Sequence, residues 1–342
     1  MSFTRTVIAL LLSICVAALP AFAKKKNEEV LIPTRCLDVA LLDSVAYLSQ
    51  TRGLALVDVS EPESPRSLGK LSLPFTLHGA APQGKFAYLA GGSHGLYIAD
   101  VENPSDPVIL QRYETPGSVR RVVVTDKHAY LADGREGLRV VDISRPLRPI
   151  HATLVRTRGK VRSLALSGGL LATAEGSAGA RIFAVGSDGL PDELHVLRET
   201  RDARDVAFAD GLVLVAAGKE GLLIYRLQAG SAPVLLQSVP PLRRAEHVTA
   251  AGTLALVSNG TAGFQIVDLE EPAAPRELSA ATIDLASYAG RAVVLGDLAY
   301  IAADVAGMAV VDIADRSNPV TLVPRKRTFK VTFPSRRDEG RQ

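Results

Sequence analysis

Ser118 to Gly159 reads SVRRVVVTDKHAYLADGREGLRVVDISRPLRPIHATLVRTRG, and this stretch decides the architecture. Arg121 to Thr125 is β-branched and strand-forming, Asp126-Lys127 makes a turn, and His128 to Ala132 makes a second strand. The glycines of Asp133 to Gly137 can take positive φ in the next turn, and Leu138 to Asp142 forms a third strand. Ser144 to Pro149 holds two prolines that cannot donate to a ladder, so it is a loop, and His151 to Arg156 makes a fourth, outer strand.

The unit recurs. Segments open on Gly53 (GLALVDVSEPESP), Gly95 (GLYIADVENPSDP), Gly137 (GLRVVDISRPLRP), Gly179 (GARIFAVGSDGLP), Gly221 (GLLIYRLQAGSAP), Gly263 (GFQIVDLEEPAAP) and Gly307 (GMAVVDIADRSNP). The spacing is 42 residues five times and then 44, and each segment has a proline twelve residues after its glycine. Four antiparallel strands repeated at this interval are a β-propeller blade, so seven copies predict an all-β, seven-bladed β-propeller over residues 36–324. Closure is expected from one of two strands, Val30 to Ile32 or Phe329 to Phe333.

The LALVD, LYIAD, LRVVD, FQIVD and MAVVD segments, each followed by a proline-containing loop, resemble the LVIVD repeat of exported bacterial and archaeal propellers. The resemblance implies a fold and an exported location, and no reaction. Ala184 and Arg226 depart from it, standing where Asp58, Asp100, Asp142, Asp268 and Asp312 stand in other copies.

Composition agrees with many short strands. Of 342 residues 47% are apolar, 5% aromatic and none is Trp, while 28 Gly and 20 Pro are spread along the chain. Residues 1–23 read as a signal peptide, with Arg5, an apolar run from Val7 to Leu19, and a small-x-small pattern at Ala21 and Ala23. The mature chain then starts at Lys24, and a periplasmic, secreted or cell-surface location is expected. Only Cys36 remains after cleavage, so no internal disulfide forms, and its place in an apolar strand marks it as a packed residue. The formal net charge of +3 comes from the ends: residues 24–35 form a basic lead, residues 325–342 form a basic tail, and the body is net acidic. That distribution is wrong for a nucleic-acid surface. It suits contact of the basic ends with an anionic membrane surface.

Serine-hydrolase elbows, phosphate loops, CxxC and HExxH are absent from the sequence, so no catalytic residue, metal site or cofactor is expected. The repeated Asp residues lie on different blades, too far apart to share an ion, and are expected to bond to backbone in the loop before the proline. Tyr47, Tyr88, Tyr130 and Tyr300 are expected to pack between blades. The informative positions are those that break the repeat. Where the chain enters the innermost strand, the copies present Leu37, His78, Arg120, Arg162, Arg204, Glu246 and Tyr288 to the channel mouth.

Three consecutive arginines there suit a carboxylate, sulfate or phosphate. The competing reading is a solvated ring in which Asp38, Asp205 and Glu246 pair with them. His94, Arg135 and Lys219 lie in turns on the same face. The expectation is a monomeric binding or scaffolding propeller for a protein partner or a small anionic ligand. The alternative is a hydrolase of anionic sugars of the sialidase kind, with the three arginines on the substrate carboxylate, Tyr288 and Glu246 as the nucleophile pair and Asp38 as the acid. Such enzymes are similar to six-bladed propellers with Trp-containing repeats, which this chain lacks.

Overall fold

The computed structural model describes residues 35–279 and 288–323. The expected signal peptide, both expected closing strands and the basic tail lie outside the described residues.

Twenty-eight strands form seven four-stranded antiparallel sheets, each built from consecutive strands. The blades cover 36–72, 79–113, 122–155, 163–197, 205–239, 247–279 and 292–323. In blade 3 the strands are Val122–Val124, His128–Ala132, Leu138–Asp142 and Ile150–Val155, within a residue or two of those read from the sequence. The first strand of each blade lies against the first strand of the next, and the first strand of blade 7 lies against Cys36–Leu42 of blade 1, which closes the ring.

Burial holds the ring together at the junctions. There are seven buried apolar clusters among the described residues, and each spans two adjacent blades. Tyr130 of blade 3 packs with Val161, Leu164 and Phe183 of blade 4, and its hydroxyl donates to the Gly189 carbonyl at 2.9 Å. Tyr47, Tyr88 and Tyr300 fill the equivalent place between blades 1 and 2, 2 and 3, and 7 and 1. A fully buried aromatic side chain takes far more apolar area out of water than an aliphatic one, so it is the efficient residue for a wedge-shaped junction.

Five junctions repeat one backbone bridge, Gly92 with Val119, Gly134 with Val161, Gly176 with Ala203, Gly218 with Ala245 and Gly260 with Ala289. At the junction of blades 7 and 1 the same bridge joins Asp304 to Cys36, and Arg35 Nε donates to Asp304 Oδ1 at 2.5 Å. Closure among the described residues therefore uses the ordinary junction. Cys36 is 2% exposed, and burial, with Asp38 nearby, pushes its thiol well above the ordinary range, so it packs as the sequence reading expects.

The repeated residues have local tasks. Gly137 has φ +116°, and a Cβ on it would stand 2.3 Å from the Val155 carbonyl oxygen, so a side chain is excluded by sterics as well as by φ. Asp58, Asp100, Asp142, Asp268 and Asp312 each accept a bond from the backbone N–H two residues on, at 2.8 to 2.9 Å. Where Ala184 and Arg226 replace the Asp, the connection tightens instead. Gly186 N–H bonds to the Leu190 carbonyl, and Gln228 pairs with Ser231 around Gly230. Every blade also carries a bulge between its third and fourth strands at one place, such as Val140/Val141 in blade 3. Bulges raise local twist, which the outer strands need to splay from the axis.

Candidate functional site

The loops entering the innermost strands converge on a cavity of about 440 Å³ at one mouth of the channel. Its lining includes Leu37, His78, Arg120, Arg162, Arg204 and Glu246, six of the seven positions singled out in the sequence. Leu37, Arg120, Arg162, Arg204 and Glu246 each follow a bridge residue, and the backbone N–H groups of His78, Arg120, Arg162, Arg204 and Glu246 are tied to the second strand, as in Arg120 to Ala132 and Arg162 to Ala174, both within 2.9 Å. The side chains are thereby carried on rigid strand starts rather than on free loops.

Tyr288 is out of register. Ala289 makes the bridge of blade 7, so the residue in the ring position is Gly290, and Tyr288 corresponds to Ser118, Lys160, Asp202 and Arg244. The two extra residues of the last repeat lie before the inner strand, which moves Tyr288 two places outward. It packs over Gly260, and burial, with Glu246 close by, raises its phenol above the ordinary value.

The ring is electrostatically divided. On the side of blades 5 and 6, Arg204 Nε donates to Asp202 at 2.9 Å, its Nη1 bonds to Glu246, and Arg244 reaches Asp202 at 2.7 Å. On the side of blades 2 to 4 stand His78, Arg120, Lys160 and Arg162. Arg120 has no ion-pair partner among the described residues, and Arg162 has only Asp202 at 3.6 Å. Repulsion shows in the titration of the neighbours. Lys160 is held below the ordinary amine value by Arg120 first, then by burial and by Arg162 and Arg135. His78 is lowered by burial, then by Arg120 and Lys160. Around the whole cavity six cationic side chains face two carboxylates.

One residue deeper lies a second ring, Asp38, Gly79, Arg121, Ser163, Asp205, His247 and Arg291. Arg121 Nη1 donates to Asp38 at 2.6 Å; Arg291 bonds to both oxygens of Asp205 at 2.8 Å, to Ser163 Oγ at 3.0 Å, and lies 3.4 Å from Asp38. His247 Nδ1 lies 3.4 Å from Asp205. Burial alone would raise Asp205, but Arg291, with His247, outweighs it and holds the carboxylate well below its usual range. Gly79 leaves the room this layer needs, since a Cβ there would stand 2.9 Å from Asp38 Oδ2.

The sequence reading paired Asp38 and Asp205 with Arg120, Arg162 and Arg204. That is corrected: both carboxylates belong to the deeper layer and neutralise Arg121 and Arg291. Of the three acids only Glu246 pairs within the mouth ring. Beneath the layer a second cavity of about 410 Å³ is lined largely by Val, Leu and Ala of the inner strands. The ionic layer thus separates a cationic mouth from an apolar one. Reading one position past the ring would have found it, because Asp38, Arg121, Asp205 and Arg291 there interleave both signs.

Among the described residues no cluster of His, Cys, Asp and Glu has a metal-holding arrangement. His94, from the turn of blade 2, is stacked on Phe75 at 4.2 Å between ring centres.

The comparisons with known proteins concern the repeat and the fold. The LVIVD repeat model matches residues 36–71, 81–115, 116–157 and 286–323, which are blades 1, 2, 3 and 7. The unmatched stretch contains the two blades whose Asp is replaced. No curated protein matches the chain. The crystal structure of the computationally designed Ika8 protein is similar, with a TM-score of 0.63 at 10% identity over 82% of this chain and 84% of that one, which is a likeness of fold alone. The chain thus carries the LVIVD repeat in four of its seven blades, at both ends of the ring, with the repeat's register kept around it.

Proposed function

We propose that the chain is an exported, non-catalytic binding propeller that takes an anionic group of a ligand or protein partner on the mouth arc formed by His78, Arg120, Lys160 and Arg162. The observation that carries this reading is the convergence of His78, Arg120, Lys160 and Arg162 on one cavity, where Arg120 has no counter-charge among the described residues and its buried Nε has no hydrogen-bond partner. A carboxylate, sulfate or phosphate entering there relieves the repulsion and meets guanidinium groups able to bind it in bidentate fashion. Export rests on the reading of residues 1–23.

The geometry favours binding over hydrolysis. Asp38, the acid of the sialidase-like reading, is 2% exposed and clamped by Arg121. Glu246 is held by Arg204, and Tyr288 stands two places from the ring.

A thermal-shift series with citrate, sulfate, phosphate and acidic sugars tests the proposal. An anion at about 100 times its Kd adds about 2.7 kcal/mol to stability and raises Tm by several degrees. The rise is expected to disappear in Arg120→Gln. An absence of any shift, or a shift that survives Arg120→Gln, overturns the assignment.

A further inference from the structure

The chain entering blade 4 reads Arg156-Thr-Arg-Gly-Lys-Val-Arg162, with a cation at every second residue. It runs from the end of the outer strand Ile150–Val155 to the start of the inner strand Ser163–Ser167, and so crosses the blade from rim to axis. The corresponding segment into blade 3 has Arg120 as its only cation, and that into blade 5 mixes arginines with Glu199 and Asp202.

The residues between the cations fix the backbone. Thr157 Oγ1 donates to the Gly159 carbonyl at 2.7 Å, Val161 N–H bonds to the Gly134 carbonyl at 2.8 Å, and Arg181 bonds to the Arg156 carbonyl at 3.2 Å. Gly159 packs against Glu175, where a Cβ would lie 2.0 Å from the carbonyl oxygen. Arg156 and Arg158 are exposed, Thr157 between them and Gly159 after them are half-buried, and Lys160 and Arg162 are half-buried toward the axis.

This segment joins two cavities. Lys160 and Arg162 line the mouth, while Arg156 and Arg158 line a second cavity of about 450 Å³ over blade 4, together with Arg198, Arg181, Glu175 and Glu193. Arg181 is occupied by both glutamates at 2.6 Å. Arg156 lies 4.0 Å from Glu136, and Arg158 and Arg198 have no ion-pair partner among the described residues.

We propose that this ladder binds an extended acidic peptide segment, laid radially from the rim between blades 3 and 4 to the channel mouth, with carboxylates at alternate residues. The inference rests on the anion-binding reading of the mouth and extends it from a single anionic group to a chain. In an extended peptide, side chains two residues apart share a face and are spaced about 6.6 to 6.8 Å apart, so carboxylates at alternate residues can meet the cations of the segment in turn, Arg156 and Arg158 over blade 4 and Lys160 and Arg162 at the mouth. The six steps from Arg156 to Arg162 span at most about 20 Å, which three or four acidic residues at that spacing cover. Neither cavity is lined by Phe, Tyr or Trp, so pyranose rings find no aromatic face there, and a peptide is the better match than an acidic polysaccharide.

The test is fluorescence anisotropy with labelled (Glu-Thr)5, in which β-branched Thr favours the extended form. A block peptide of five Glu then five Thr, the tripeptide Glu-Thr-Glu, and an oligogalacturonate serve for comparison. The alternating peptide is expected to bind at least tenfold more tightly than both the block peptide and the tripeptide. The double variant Arg158→Glu/Arg198→Glu is expected to abolish that advantage while leaving the tripeptide's affinity and the Tm unchanged. Equal affinity for alternating and block peptides overturns the ladder, and so does an advantage that survives the double variant. Tight binding of oligogalacturonate with none of the peptide assigns the groove to a polysaccharide and overturns the peptide. Citrate binding lost in Arg120→Gln with no peptide advantage sinks the ladder alone, whereas no binding of any anion sinks the reading of the mouth with it.

Discussion

Arg120 and Arg204 hold the same position in their blades and differ in what stands beside them. Arg204 has Asp202 two residues before it and Glu246 one blade on, and both carboxylates bond to it. Arg120 has Ser118 in the first place and Arg162 in the second, so its charge is answered by no carboxylate among the described residues. The fold supplies the position, and two neighbours decide whether an arginine ties blades together or stands without a carboxylate. The ring therefore has two unlike sides: a salt-bridged arc over blades 5 and 6, and an arc over blades 2 to 4 in which Arg120 has no carboxylate among the described residues and Arg162 has only Asp202 at 3.6 Å.

The largest effect should come from the ionic layer beneath. Arg291→Met leaves Asp205 buried without its main counter-charge and takes the second one from Asp38, and breaking such a pair costs about 3–5 kcal/mol. Arg120→Gln removes a cation that only repels its neighbours and should change stability by no more than about 0.5 kcal/mol. Denaturant unfolding of the two variants measures the contrast directly. Similar losses in both would break the comparison, because the mouth arginine would then be structural as well.

A smaller effect tests whether the arcs can be exchanged. Glu246→Gln removes one of the two acids on Arg204 and leaves Asp202 to answer Arg162, Arg204 and Arg244 together, so the cationic arc extends in part onto blade 5. Citrate affinity should rise about fivefold, in line with the ~1 kcal/mol of a partly exposed pair, with little change in Tm. An unchanged or weaker affinity, read by calorimetric titration, would mean that the anion touches blades 2 to 4 alone.

The difference between the arcs explains what could be read from the chain beforehand. The seven blades were plain because Gly137 and its equivalents answer to local sterics, and Asp142 and its equivalents to a bond two residues away, so both recur in register. Six of the seven mouth residues followed from counting along that register. Tyr288 failed because the count does not say where two inserted residues lie, and the bridge at Ala289 places them before the inner strand. The pairing failed for a different reason. Asp38 meets Arg121 and Arg291 across the channel, and residues 83 positions apart or more come together only once the ring is closed. Asp202 and Arg244, which complete the paired arc, sit two places before ring residues, where nothing in the repeat draws attention to them.

The smallest effect is on pH, and it separates the arcs without a change of charge. Burial, with Arg120 and Lys160, lowers His78 below its ordinary value near 6.5, so between the lowered value and about 6.5 the unfolded chain holds a proton that the folded chain does not. The free protein therefore gains stability as pH rises through that window and loses it as pH falls. A bound anion offsets Arg120 and Lys160 and raises His78 again, so binding on this arc takes up a proton. Affinity for sulfate, which stays fully ionised there, should rise roughly threefold between pH 7.5 and 5.5. Calorimetry in two buffers of different ionisation heat should register the uptake, and His78→Asn should remove both the uptake and the pH dependence. If the pH dependence persists in His78→Asn, the proton enters elsewhere and the anion does not sit on the arc of His78.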